Sequence, residues 1–415
     1  MNARSKIDMM EATRLTREGR LDEAMAVLRG ALAGAPSSPV ADDAQPSGRT
    51  PPMLDMVPPS PATGDAWTAP QSGDAAAAPP RSGMSRPRIP ETLHGMLDRL
   101  GQSGAARGLD GLLGRAVDRA PLPVPDGARF DERSYANAAG SRAYKLYVPS
   151  GYDGQALPLV VMLHGCTQSP DDFAAGTRMN DLAEEKTFLV AYPAQTQSAN
   201  ASRCWNWFNT GDQQRDHGEP SLIAGITRAI MRDFPVEPGR VYIAGLSAGG
   251  AAAAIMGATY PDLYAAIGVH SGLACGAASD IPSAFAAMRQ GRASPSERSH
   301  RHGADAVPTI VFHGDRDMIV NPVNGDQVIA QSKAAADLRT TVTRGEAPGG
   351  ISYTRIVQAD EHGRPMLEQW ILHGTGHAWS GGSAAGSYTE PRGPDASREM
   401  MHFFLQHPMT DASLG

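Results

Sequence analysis

Three loops in the last two-thirds of this 415-residue chain carry side chains whose types and order suit nucleophilic acyl transfer. Ser247 lies in "GLSAGG", Asp315 and Asp317 in "HGDRDMIV", and His373 and His377 in "LHGTGHAWSGG". A serine hydroxyl is a weak nucleophile until a base takes its proton, and an imidazole base needs a carboxylate to hold its other nitrogen. Gly245-Leu246-Ser247-Ala248-Gly249 fits G-x-S-x-G, but in a chain with 45 glycines that match arises by chance in roughly one case in three. Its setting adds specificity. The β-formers Val241, Tyr242 and Ile243 precede it and tiny residues follow, as a sharp strand-to-helix turn around a crowded serine requires. The plain alternative is a serine that merely caps a helix.

The order serine, acid, histidine along the chain is the one this chemistry takes when each group ends a successive strand. Asp317 is preferred to Asp315, which follows its strand so closely that it can satisfy loop amides instead. His377, in a Gly-Thr-Gly-His loop, is preferred to His373, which ends a strand and can pack there. Two N–H donors must face the developing oxyanion. Ala248, next to the serine, supplies one; the other falls to Cys166 in "LHGCTQS". Trp205 and Trp207, two apart in "RCWNWFN", either line an acyl-chain cleft or cap the core. No histidine spacing suggests a metal, and no cofactor is required.

These loops need a rigid frame. Apolar runs such as "LPLVVMLHG", "FLVAYP", "RVYIAG", "VPTIVFHG" and "EQWILHG" alternate with helix-length segments over 171–186, 221–233 and 248–260. Strand–helix alternation with strands apolar on both faces predicts a mostly parallel sheet in a three-layer α/β sandwich. Ligands then bind beyond the carboxyl ends of the strands, where the three loops fall. This domain is expected over 128–410. Ahead of it come an amphipathic helical segment over 1–33 and an Ala/Pro/Gly/Ser-rich linker over 34–127, with a short helix near 90–100.

The net charge of −7 leaves no basic footprint for nucleic acid. No run is long and apolar enough to span a membrane. The N-terminus lacks the apolar core of a signal peptide, so a cytoplasmic location is expected, with an extracellular one as the alternative. Three cysteines, Cys166, Cys204 and Cys275, fit free thiols in a reducing compartment, with a Cys204–Cys275 bridge as the other reading.

Taken together, "LHGCTQ", "CWNWF", "GLSAGG", "HGDRD" and "GTGHAWSGG" resemble the polyhydroxybutyrate (PHB) depolymerase family of esterases, which also holds feruloyl and acetylxylan esterases. The resemblance spans roughly 128–408. It implies an α/β-hydrolase fold with Ser247 as nucleophile, Asp317 as orienter, His377 as base and Cys166 in the oxyanion hole. Secreted members carry a leader and a polymer-binding module after the catalytic domain, and neither is expected here. Short hydroxyalkanoate oligomers, intracellular polyester or other small esters are therefore the expected substrates. Feruloyl or acetylxylan ester cleavage is the alternative, and a granule-associated scaffold with a vestigial hydrolase domain is the reading from another class. The N-terminal helix is the candidate granule or protein contact.

Overall fold

The run from Leu157 to Leu163 is buried along its whole length, as a strand covered on both faces must be. It belongs to a computed structural model that describes residues 122–291, 307–333 and 337–409. The helical segment expected over 1–33, the short helix near 90–100 and most of the linker lie outside the described residues. In chain order the strands are β1 (Arg129–Asn137), β2 (Gly140–Val148), β3 (Leu157–Leu163), β4 (Leu189–Pro193), β5 (Val236–Leu246), β6 (Ala266–His270), β7 (Thr309–Gly314), β8 (Arg339–Glu346), β9 (Ser352–Ala359) and β10 (Pro365–Leu372), with short β11 (Trp379–Ser380) and β12 (Thr389–Glu390). The first ten form one sheet in the order β1-β2-β4-β3-β5-β6-β7-β10-β9-β8. From β4 to β10 the neighbours run parallel, and antiparallel strands extend both edges.

Seven helices cover the sheet: α1 (Pro170–Thr177), α2 (Met179–Lys186), α3 (Gly218–Asp233), α4 (Ala248–Thr259), α5 (Ile281–Gln290), α6 (Val323–Ser332) and α7 (Ala396–Leu405), counted among the described residues. Because side chains alternate across a strand, β3 feeds two cores. Leu159 and Val161 join Ile223, Ile226 and Ala253 beneath α3 and α4. Val160 and Met162 join Phe173, Leu182, Met400 and Phe404 beneath α1, α2 and α7. This is the α/β-hydrolase arrangement, and it fulfils the three-layer expectation.

Two local differences have physical causes. The helix expected over 171–186 is broken at Arg178, whose left-handed φ of 56° ends α1 and starts α2 in a new direction. Strands β8 and β9 escaped the apolar-run reading because both mix polar with apolar residues, and β8, with one large apolar residue in Val342, is exposed along most of its length. Among the described residues no helix is long and apolar enough to cross a membrane.

Candidate active site

Strand β5 delivers Ser247 to the sheet's carboxyl edge, where the residue adopts φ 58° and ψ −119°. A non-glycine residue at positive φ outside the common regions is strained and persists only when its surroundings hold it. Here the Ser247 N–H donates to the His270 carbonyl over 2.8 Å. Gly249 is required beside it, since a Cβ there would overlap the Leu163 carbonyl. The serine side chain makes no capping bond to α4, so the capping alternative does not describe it. The hydroxyl therefore sits on a turn at the N-terminus of a helix, free of a structural task.

The loop after β3 lies against this turn. A Cβ on Gly165 would come 3.6 Å from the Ser247 Cβ. Cys166 follows, and it is not a free thiol: its sulfur is bonded to Cys204, and Cys275 is the cysteine left unpaired. Both cysteine readings from sequence are thereby corrected. Position decided it, because the tight turn at Gly165 and the loop before Trp205 bring the two Cα atoms to 4.2 Å. Thr167 N–H also donates to the Ser202 carbonyl over 2.7 Å, tying the same two loops.

The loops after β7 and β10 form two Asp–His pairs, side by side and unlike in surroundings. In one, His377 Nδ1 lies 2.6 Å from Asp317 Oδ2, with the carboxylate fully buried and the imidazole side chain 9% exposed. Asp317 Oδ1 accepts the N–H groups of Ile319 and Val320, each over 2.9 Å. His313 Nε2 lies 3.4 Å from Oδ2. Burial alone would raise this carboxyl, but the bonds from His313 and His377 outweigh it and hold Asp317 well below the carboxylate range. In the other pair, His373 Nδ1 is 2.9 Å from Asp315 Oδ2, and both side chains are more than a third exposed. His373 Nε2 is 2.9 Å from Thr354 Oγ1, so both ring nitrogens are engaged. Asp315 Oδ1 accepts the Gly374 N–H over 2.7 Å.

The tryptophans act from behind. Trp205 is 1% exposed and donates from Nε1 to the His164 carbonyl over 3.0 Å. Trp207 packs edge-on against Phe208 in the core and borders a small cavity with Ile223, Ala252 and Met256. A side chain so enclosed leaves no face for an acyl chain, so the cleft-lining reading of Trp205 gives way to the core reading.

Two groups escaped the sequence reading. His270, fully buried, receives Ser380 N–H on Nε2 over 3.0 Å and stacks between Phe312 and Trp379. Its carbonyl holds Ser247 N, so one residue ties the serine turn to the loop that carries His377. Its only signal was a histidine ending an apolar strand. Glu219, nearly buried, accepts from Gln195 and from the N–H and side chain of Asn206, beside Arg142. Burial and then Asp212 raise its carboxyl despite those donors.

Residues 142–348 match the family model described as esterase PHB depolymerase. This part of the chain belongs to that esterase family. The matched stretch includes Cys166, Ser247 and Asp317; His377 lies beyond it. Among curated relatives of the family, the chain is 33% identical over 239 residues to a poly(3-hydroxyalkanoate) depolymerase C of Paucimonas lemoignei, covering 56% of this chain and 57% of that one. It thus spans little more than half the length of that relative. A feruloyl esterase B of Thermothelomyces thermophilus is 25% identical, over 56% of this chain and 82% of its own. An acetyl xylan esterase from Aspergillus awamori superposes with a TM-score of 0.48 at 18% identity, over 64% of this chain and 94% of that one.

Imidazoles buried in the neutral form make this domain acid-sensitive. Burial pushes His164 down to about 4 from 6.5, and burial is also the first cause that pushes His270 well below the usual range. A depressed histidine contributes stability that is complete above its unfolded pKa and is lost as pH falls through the folded one. For His164 the window runs from about pH 6.5 to 4 and amounts to something on the order of 3 kcal/mol. Asp317 acts in the same sense at lower pH, whereas the raised carboxyl of Glu219 opposes it. Urea melts at pH 7, 5.5 and 4.5 are expected to show falling midpoints. A flat profile contradicts the burial of neutral imidazoles.

Proposed function

We propose that this chain is a serine carboxylic ester hydrolase working through an acyl-enzyme, with residues 128–410 as its catalytic domain. The observation that carries the reading is the unsupported, positive-φ Ser247 at the head of α4, in a chain whose buried Asp317–His377 pair lies on later loops. Ser247 Oγ attacks the ester carbonyl carbon as His377 Nε2 takes the hydroxyl proton. Asp317 holds Nδ1–H and stabilises the imidazolium that forms. The N–H groups of Cys166 and Ala248 receive the oxyanion; each such donor is worth about 2.7–4 kcal/mol of barrier. Collapse expels the alcohol, which takes the proton from His377, and water then repeats the sequence to free the acid. No cofactor enters any step.

The acyl group proposed is a short hydroxyalkanoate, in oligomers or polyester, supported by the depolymerase relative. Contact with a polyester granule through the helical segment expected over 1–33 belongs to the same proposal. The Cys166–Cys204 bridge favours an oxidising compartment over the cytoplasmic setting expected from sequence, since cytosolic thiols are kept reduced. The test is labelling with a fluorophosphonate, followed by a panel of hydroxybutyrate oligomers, methyl ferulate and acetylated xylan. One equivalent of label on Ser247 and fastest turnover of the oligomers are expected. Label on any other residue sinks the mechanism, and preference for methyl ferulate or acetylated xylan replaces the substrate class.

A further inference from the structure

An oxyanion donor is useful only if its N–H is aimed before the substrate arrives. In a trans peptide the carbonyl and the following N–H point in opposite directions, so whatever holds the Gly165 carbonyl also aims the Cys166 N–H. The Gly165 carbonyl lies 2.7 Å from His164 Nδ1. The Gln168 N–H approaches the same oxygen at 3.4 Å. Gly165 N–H is held in turn by Gln168 Oε1 over 2.8 Å. The Cys166 carbonyl accepts from Thr167 Oγ1 over 2.6 Å, and the Cys166 sulfur is tied to Cys204. Among the described residues, the Cys166 N–H is the one polar group of this dipeptide left without a partner.

The tautomer of His164 follows from its other nitrogen. Nε2 lies 3.0 Å from the Gln195 backbone N–H, which can only donate, so Nε2 accepts and the proton resides on Nδ1. The ring is 1% exposed and lies tilted against Trp205 at 5.6 Å. Burial keeps it neutral at working pH.

We propose that His164 is a positioning residue for the reaction: its Nδ1–H holds the Gly165 carbonyl and so turns the Cys166 N–H toward the oxyanion that forms at Ser247. The proposal rests on the acyl-transfer reading given above. Gln195, by fixing the tautomer, serves the same peptide from behind, and Trp205 holds the preceding peptide through the His164 carbonyl.

Two substitutions separate positioning from packing. In His164→Asn the amide nitrogen takes the place of Nδ1 and can still donate to Gly165, but Gln195 N–H loses its acceptor. In His164→Gln the amide oxygen reaches the place of Nε2 and can still accept from Gln195, but no donor faces Gly165. His164→Gln is expected to lower kcat about 100-fold with KM nearly unchanged, the scale of a misplaced catalytic group. His164→Asn is expected to keep most of kcat while melting at a lower temperature, through the unpaired buried N–H. Wild-type kcat in His164→Gln, or equal losses in both variants, overturns the proposal. A readout that needs no variant is the imidazole ¹⁵N spectrum of the wild type, where a His164 proton on Nε2 also overturns it. A crystal structure of the Ser247 phosphonate adduct keeps the two ideas apart. A phosphoryl oxygen away from Cys166 N–H defeats the oxyanion reading itself. One bonded there, with His164→Gln fully active, defeats only the role of His164.

Discussion

Asp317→Asn is expected to lower kcat about 10⁴-fold, the scale seen when a triad carboxylate becomes an amide, while Asp315→Asn leaves kcat near that of the wild type. The two aspartates sit two residues apart, each within 3 Å of a histidine: 2.6 Å for Asp317–His377 and 2.9 Å for Asp315–His373. Distance alone does not separate them. Burial does, because a carboxylate acts strongly on an imidazolium only where water does not screen it. The Asp317 carboxylate is fully buried, whereas that of Asp315 is 37% exposed. Availability separates them further, since His373 already has both nitrogens engaged and has none left to take a serine proton. In Asp317→Asn the oxygen can keep the Ile319 and Val320 amides, but the new NH₂ faces His377 Nδ1. That nitrogen must then accept, the proton moves to Nε2, and the base is lost with little change in fold. Steady-state kinetics on a short p-nitrophenyl ester, with thermal melts of both variants, check this. A large loss in Asp315→Asn with Asp317→Asn active exchanges the roles of the two pairs.

The second large effect concerns the bridge at the loop after β3. Joint Cys166→Ser and Cys204→Ser substitution is expected to cost about 4 kcal/mol, because the bond closes a loop across 38 residues and removes that freedom from the unfolded chain. For a domain of this size that corresponds to a melting point lower by roughly 10 °C. Activity is expected to fall as well, since Cys166 carries a proposed oxyanion donor and its loop keeps the Thr167–Ser202 bond as its nearest remaining tie to the neighbouring loop. Cys275 does not take part. Burial raises its thiol to about 11, so little thiolate is available for exchange, and Cys275→Ala should behave as wild type. Melting with and without a phosphine reductant, beside intact-mass analysis of bridge state, reads the effect. Unchanged melting and turnover in fully reduced protein contradict it.

Much of the frame was legible in the chain itself. Leu157–Leu163 is apolar at every step and Ile310–Phe312 form the apolar centre of β7, as strands covered on both faces require. The residues of the serine turn are legible for a similar reason: small neighbours and a strand-to-helix switch are local demands, met by residues adjacent in sequence. The order of the serine, acid and histidine loops is equally a property of the chain. What was not legible depends on approach between distant segments. The polar edge strand β8 shows no apolar run, because little of it is buried.

Sequence alone therefore determined the parallel core of the sheet, the position of Ser247 at its carboxyl edge, and two aspartates and two histidines on the loops beyond. Only the tertiary structure decided which Asp–His pair is enclosed, since burial is set by what packs over a loop and not by the loop's own residues. It alone paired Cys166 with Cys204, which are neighbours in space through two turns that composition does not reveal. It also sent Trp205 inward, where the indole N–H supports the His164 carbonyl, because a ring that size follows the nearest buried acceptor and cavity rather than its spacing in the chain.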